Sequence, residues 1–431
     1  MVYSAILFAS IFLVLAFAIE RLGRFLRVPS VIVMIVTGLV AKPLLGARGV
    51  ELAGLEVVVP ILGAIGLILI VLEGALDIEL RRDRIRTAAG AITIAVAGFF
   101  FLVLFFGSIA LLALGLSPFH AALLAVPFAV ISSAVAIPSS DFLPPRSREF
   151  VIYESSVSDI LGVLVFFALL NSTGTLASVA AGLIGGGVLS LLLSIVCAVG
   201  LMLVLVRIDG HIRFIPLLAG LFGLYALGEI LHLSPLIMVL LFGLALNNPT
   251  LITRFRPLRN WVDDRYEETL VGFKGLVLEL TFAVRGFFFL LLGYWTELST
   301  LAAPEAWAAA VLVLVTIYVS RHFMLKASGH KRGAALTWFA PRGLITVLLF
   351  LSVKEALELP RYLDGTVVLV LLASSALIAV ARFRLTKEDA EAARAAAEEK
   401  AKEKDRAEET DEGAAQAPEP GNAPQGKPPA A

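Results

Sequence analysis

Cysteine and charge are scarce in this chain of 431 residues. The single cysteine, Cys197, excludes a disulfide framework and a zinc cluster, and it reads as a small apolar filler in a helix. Charged residues make up 16% of the chain, against about 25% in an ordinary soluble domain. Hydrophobic residues make up 59%, against roughly 45–50%. That balance excludes a soluble enzyme, a disordered protein and a nucleic-acid binder. Net charge is zero, 35 basic residues against 35 acidic, so only the placement of charge is informative. Histidine is scarce too. His120, His211, His232, His322 and His330 fall mostly near the ends of apolar stretches and read as interfacial residues rather than pH sensors. The first stretch, Met1–Ile19, lacks the basic start of a signal peptide.

Long apolar runs fill the chain. A membrane-spanning helix needs about 20 mostly apolar residues, and thirteen candidates are present. The first six are Val2–Ile19, Ser30–Leu45, Leu55–Leu76, Ala88–Leu114, Pro118–Pro138 and Glu149–Leu170. The long Leu176–Val206 is the seventh. The last six are Phe214–Leu231, Pro235–Leu246, Leu270–Trp295, Pro304–Phe323, Ala334–Val353 and Gly365–Ala381. No period-2 alternation runs through them, which excludes a β-barrel. The fold class is therefore an all-α polytopic membrane protein.

Basic residues orient it, because cytoplasmic loops are enriched in Lys and Arg. With Arg21, Arg24 and Arg27 placed inside and the sides alternated, the inside loops hold 22 basic residues through Lys387. Arg148, Arg265, Arg321 and Lys326 are among them. The outside loops hold only Lys42, Arg48, Lys354 and Arg361. The N-terminus is then outside and the C-terminus cytoplasmic. Residues 1–385 form the membrane domain. Residues 386–431 form a cytoplasmic tail, first rich in Ala, Glu and Lys, then Pro/Ala/Gly-rich and expected to be disordered.

Ionisable residues near the bilayer centre are costly and are functional candidates by default. Here they are Glu73, Glu154, Asp159, Glu229, Glu279, Arg285 and Arg342, while Lys274 is close enough to an interface to snorkel. Glu279 is expected to meet a buried arginine or water. The runs Phe99–Phe101 and Phe287–Phe289 are expected to pack or face lipid. In the sixth span, Ser155 and Asp159 lie four residues apart on one helical stripe, with Glu154 and Ser158 on the stripe beside it. Carboxylates and hydroxyls on one face suit a partly dehydrated hard cation, and a carboxylate also takes a proton. The alternative is that Asp159 and Glu154 only bridge helices to buried arginines.

Two spans carry breaks. Pro127 disturbs the fifth just before Ser132 and Ser133, and Ala340-Pro341-Arg342-Gly343 interrupts the twelfth. Taking the seventh span as a linker leaves two six-helix halves in opposite orientation. The interrupted helices then occupy matching positions, the pattern of a transporter's central site.

These residues together resemble monovalent cation–proton antiporters, and among them the NhaP-type sodium/proton antiporters. Glu154-Ser155-Ser156-Val157-Ser158-Asp159 is similar to the Glu-Ser-x-x-Asn-Asp pattern of that family's sixth helix. Ala340-Pro341-Arg342-Gly343 is similar to its Gly-Pro-Arg-Gly. Leu72-Glu73-Gly74-Ala75-Leu76-Asp77 and Gly228-Glu229-Ile230-Leu231 also resemble family stretches. The resemblance implies two inverted six-helix repeats with crossing broken helices. It makes Asp159 the shared proton and cation carboxylate and brings Glu154 and Ser155 to the ion site. It lets Glu73 contribute through water, and makes Arg342 and Arg285 charge-balancing residues. It further implies an elevator-like motion and a homodimer in the cell membrane.

This chain departs from the pattern twice. Ser132-Ser133-Ala134 stands where the family carries Thr-Asp-Pro, and Ser158 stands where it carries Asn. Ser132, Ser133 and Ser158 remain candidate ligands. The expected activity is Na+/H+ antiport, with Li+ or K+ as other cations, electroneutral because Ser158 cannot carry a second proton. A K+/H+ exchanger, an efflux system or a non-transporting receptor on the same fold are the alternatives. Nothing in the sequence suggests an enzyme or a cofactor; Na+ and H+ would be substrates.

Overall fold

A computed structural model of the chain describes residues 2–26, 29–47, 55–77, 85–140, 142–172, 174–181, 192–197, 200, 214–231, 235–249, 264–329 and 333–384. Met1–Arg382 forms one compact unit and Phe383–Ala431 a second. The tail from residue 386 and most of the seventh span lie outside the described residues.

All described elements are helical. In order they are α1 (Val2–Leu26), α2 (Ser30–Gly46), α3 (Leu55–Asp77), α4 (Ile85–Leu114), α5 (Pro118–Ala129), α6 (Ser133–Ser139), α7 (Pro145–Leu170) and α8 (Leu176–Ala181). Then follow α9 (Phe214–Ile230), α10 (Pro235–Asn247), α11 (Asp264–Trp295), α12 (Leu298–Ala302), α13 (Pro304–Ala327), α14 (Gly333–Thr337), α15 (Leu344–Ala356) and α16 (Tyr362–Arg384). The apolar stretches foreseen outside the seventh are thus helical, apart from breaks at residues 130–132 of the fifth and 338–343 of the twelfth. Among the described residues, six helical segments are long and apolar enough to cross a membrane: 88–114, 118–139, 145–170, 266–295, 304–327 and 362–381.

Local chemistry sets the ends. Pro118, Pro145, Pro235 and Pro304 open their helices, where a missing N–H costs nothing. The Ser117 hydroxyl caps α5 by accepting from the His120 N–H at 3.3 Å. Gly115 ends α4 in the left-handed region at φ 64°. The packing is inverted relative to a soluble protein. Leu104 and Leu112 are exposed on α4, while Glu154, Arg321 and Arg342 are buried. Such a surface needs lipid as its solvent.

Two groups of helices result. α4, α5, α7, α13 and α15 pack on one another, and α1, α2, α3, α9, α10 and α11 form the other group. They meet where α7 touches α3 and α10, where α15 touches α3 and α11, and where α6 touches α3. Within the second group α2 and α11 approach backbone to backbone. A Cβ on Gly38 would overlap the Leu290 carbonyl, and one on Gly293 the Ile35 carbonyl. Gly293→Leu is expected to force these helices apart at a cost of about 1–3 kcal/mol. The check is the midpoint of heat-induced aggregation in detergent; an unchanged midpoint would contradict the close contact.

Arg321 is a correction to the loop assignment. α13 continues four residues past Phe323, and Arg321 is a buried residue of that helix. Its guanidinium turns inward because a carboxylate waits for it there.

Candidate functional site

The two interrupted spans cross. α5 runs through Pro127 to Ala129, so the break falls three residues later than the proline suggested. Proline removes a single helical bond. Full unwinding needs partners for several freed groups, and those partners stand around residues 130–133. Val130 (φ −74°, ψ 130°) and Ser132 (φ −77°, ψ 117°) are extended before α6 begins. Opposite them, residues 339–343 are non-helical between α14 and α15.

Backbone groups at this depth must be satisfied within the protein, and the crossing does so group by group. The Ser132 N–H donates to the Pro341 carbonyl at 2.9 Å, joining the two breaks directly. The Ile131 N–H donates to Ser158 Oγ at 2.9 Å. The Ser133 N–H donates to Asp159 Oδ2 at 3.0 Å. Arg342 donates through Nε to the Phe128 carbonyl at 2.8 Å and through Nη1 to the Ala340 carbonyl at 2.9 Å. Its own N–H is taken by Ser374 Oγ at 2.9 Å. A guanidinium therefore lies on the carbonyl end of α5 and on a carbonyl of the second break, and a carboxylate at the amide end of α6, each sign matched to the backbone groups it meets. Arg285 Nη1 reaches the Ala134 carbonyl of α6 from α11, at 3.1 Å.

Glycine makes the crossing tight. A Cβ on Gly343 would come within 2.7 Å of Ser132 Cβ, and one on Gly162 would overlap the Val130 side chain. Pro341 is buried and contributes its carbonyl, while its ring has no N–H to satisfy.

The candidate residues of α7 divide between two cavities. Asp159, 7% exposed, borders a small cavity of about 40 Å³ walled by α3, α7 and α10. Its Oδ1 is buried and has no hydrogen-bond partner among the described residues. A carboxylate oxygen so placed can receive either a proton or a cation. Glu154 and Ser158 border a different cavity, of about 30 Å³, with Arg321 and Arg342, between α4, α7 and α13. Both Glu154 oxygens are engaged by Arg321, Oε1 by Nη1 and Oε2 by Nη2, the latter at 2.7 Å. Arg321 Nε continues to the Leu336 carbonyl of α14 at 2.9 Å. Glu154 thus ties α7 to α13 and α14. Ser155 is buried and donates to the Val151 carbonyl of its own helix at 2.7 Å. It borders neither cavity. Ser158 meets the Ile131 N–H and not Arg342.

Glu73 lies on α3, half-buried, with Oε2 unpartnered among the described residues. Thr281 is beside it, and Arg285 is within electrostatic reach. Its neighbour Gly74 borders the Asp159 cavity, and a Cβ there would sit 3.8 Å from Ser133 Oγ. Ser132 and Ser133 are buried at the break, and the Ser132 hydroxyl has no partner among the described residues.

Arg321 and Ser156 were missed in the sequence. A demand for a counter-ion to Glu154 was the only signal for Arg321. Ser156 borders the Asp159 cavity and is indistinguishable in sequence from the serines around it. Of the weaker candidates, Glu279 is exposed on α11, Lys274 is half-buried, and the Glu229 side chain lies outside the described residues. Cys197 is free and half-buried. His120 and His322 are exposed, and the other histidines lie outside the described residues. Phe99, Phe288 and Phe289 are packed in the core, and Phe100 and Phe101 are exposed.

Over residues 8–385 the chain matches the family described as sodium/hydrogen exchanger, transmembrane. Among solved structures it is similar to the sodium proton antiporter MjNhaP1 from Methanocaldococcus jannaschii. The structure at pH 8 is 22% identical with a TM-score of 0.66, over 87% of this chain and 96% of that one. An electron-microscopy map of the same antiporter gives 22% identity and a TM-score of 0.66, over 88% and 95%. At this identity the likeness is one of fold. Among curated proteins none matches the chain by sequence.

Proposed function

The chain belongs to the sodium/hydrogen exchanger family, and from that premise we propose that it exchanges Na+ for H+ across the cell membrane, with Asp159 as the shared carrier. The observation that carries this reading is the buried, unpartnered Oδ1 of Asp159 beside its cavity. A proton and a cation compete for that oxygen. A site that holds one or the other, and is carried across loaded, couples the two fluxes in opposite directions. Unequal affinity for the two states of access is not required; competition for one oxygen couples them so long as the empty, charged site does not cross.

Charge supports one-for-one exchange. Protonated Asp159 and cation-bound Asp159 carry the same net charge, so each crosses with equal electrostatic cost. Ser133 and Ser158 add no second titrating group, and Glu154 is neutralised by Arg321. Glu73 is held beside Arg285 and supports the site through its surroundings on α3. In this reading Arg342 and Arg285 stabilise the breaks, and Ser132 and Ser133 present the break to the ion. Movement of the α4–α7–α13 group against the α3–α10–α11 group, past the cavity they share, gives alternating access. The N-terminus is outside, the C-terminus cytoplasmic, and the protein works as a homodimer.

Proteoliposomes test the exchange. With an imposed proton gradient, added Na+ is expected to dissipate the gradient, and Li+ and K+ rank the cations. A gradient indifferent to every monovalent cation contradicts the proposal. Clamping the membrane potential with valinomycin and K+ is expected to leave the Na+-driven rate unchanged; a rate that follows the potential contradicts electroneutrality.

A further inference from the structure

Ser156 stands three residues before Asp159 on α7, so the two side chains share a helical face. Both border the cavity of about 40 Å³ walled by α3, α7 and α10. Among the described residues they are the only polar side chains in its lining; the rest is apolar, Ile70 and Val71 of α3 and Leu236 and Leu240 of α10 included. Ser156 is 2% exposed, and its Oγ has no hydrogen-bond partner among the described residues, just as Asp159 Oδ1 has none. Neighbouring serines of α7 differ. The Ser155 hydroxyl donates to Val151, and Ser158 Oγ accepts from Ile131. Burying a hydroxyl without a partner is unfavourable, so such a group calls for a ligand.

We infer that Ser156 Oγ is a direct ligand of the transported cation, forming with Asp159 Oδ1 a two-oxygen face toward the cavity. The inference rests on the antiport reading for its cargo. A monovalent cation that has shed part of its water takes oxygen ligands and keeps the remaining waters. A serine oxygen offers such a cation its lone pair. It keeps its own hydroxyl proton and takes up no further one at any physiological pH. Asp159 serves both cargoes, whereas Ser156 serves one. Ser156 therefore sets the balance between them, favouring the cation at a carboxylate that would otherwise hold its proton more often. The apolar remainder of the described wall makes this neutral oxygen count for more, since no other side chain among the described residues there offers one.

Ser156→Ala and Ser156→Thr test the ligand. Flux is measured at alkaline pH, where proton competition is weakest, with Li+, Na+ and K+ in turn. Loss of an oxygen ligand to a charged partner is expected to raise the cation KM roughly tenfold. The rise is expected to be greatest for Li+, the smallest ion, and least for K+, with kcat unchanged. Threonine keeps the hydroxyl and is expected to restore the KM. An alanine variant with unaltered KM overturns the inference. So does an equal loss for all three cations through kcat, and so does a threonine variant that behaves like alanine. In a second arm, cation-dependent heat stability of the detergent-solubilised protein is titrated with LiCl and NaCl. Its half-saturation is expected to shift by the same factor. This arm reads ligation without flux. A shift in half-saturation between wild type and Ser156→Ala, with a wild type that exchanges nothing, contradicts the antiport reading alone; a wild type that exchanges while Ser156→Ala binds and transports normally contradicts the ligand alone.

Discussion

Replacing Asp159 by asparagine is expected to reduce cation-driven proton movement in proteoliposomes to the level of protein-free vesicles, while the protein still folds. The two halves of this expectation come from the two oxygens of one side chain. Oδ2 accepts the Ser133 N–H at 3.0 Å, a bond that caps the start of α6. An asparagine carbonyl oxygen accepts the same bond in the same place, so the break keeps its partner. Oδ1 is the unpartnered atom at the cavity. An amide there neither takes up a proton nor presents a negative charge to a cation, and both cargoes are lost together. Monodispersity and heat stability close to wild type separate loss of the carrier from loss of the fold. A folded Asp159→Asn protein that still dissipates a proton gradient on addition of Na+ would move the carrier elsewhere, with Glu73 the next carboxylate to examine. Asp159→Glu extends the comparison. It keeps the charge but moves it by one methylene, away from the Ser133 N–H or into the cavity. Partial activity is expected, with altered cation preference.

How much of this was legible in the sequence depends on the distance over which each signal acts. Helix placement is local. Apolar runs about 20 residues long declare themselves against a polar background, and prolines at 118, 145 and 304 mark where helices start. The breaks were half legible. Ala340-Pro341-Arg342-Gly343 named its own interruption, whereas Pro127 pointed three residues too early. Unwinding falls where Ser158, Asp159, Arg342 and Pro341 can take up the freed backbone groups, and those partners come from other helices. Pairing between distant residues left no sequence trace. Glu154 and Arg321 are 167 positions apart, and a basic residue near the end of an apolar run reads as a loop anchor. The serines of α7 show the same limit at short range. Ser155, Ser156 and Ser158 look alike in one dimension, yet a rotation of about 100° per residue turns one onto its own helix, one into the Asp159 cavity and one onto the break.

The Glu154–Arg321 pair carries the other large expected effect, and a double-mutant cycle decides what the pair is for. Both side chains are almost fully buried, and the contact is bidentate. Breaking a buried pair by removing one partner leaves a charge without a counter-ion, which costs about 3–5 kcal/mol. Arg321→Met and Glu154→Leu are each expected to lose that much stability, read as a large fall in heat-aggregation midpoint and in the yield of folded protein. Arg321→Met also frees the Leu336 carbonyl at the end of α14, so it is expected to be the worse of the two. The double variant Glu154→Leu/Arg321→Met removes both charges. A buried ion pair exchanged for apolar groups of similar volume is often neutral in stability. The double variant is therefore expected to recover most of the loss, and it separates two roles. If Glu154 is a clamp between α7, α13 and α14, the recovered protein exchanges Na+ for H+ with little change in KM, because the pair borders a cavity different from that of Asp159. If Glu154 is instead a ligand, the double variant is stable and inactive, and the carboxylate must leave Arg321 during the cycle to reach the ion. The geometry favours the clamp: with both oxygens held by one guanidinium, Glu154 has no oxygen free for a cation, whereas Asp159 has one.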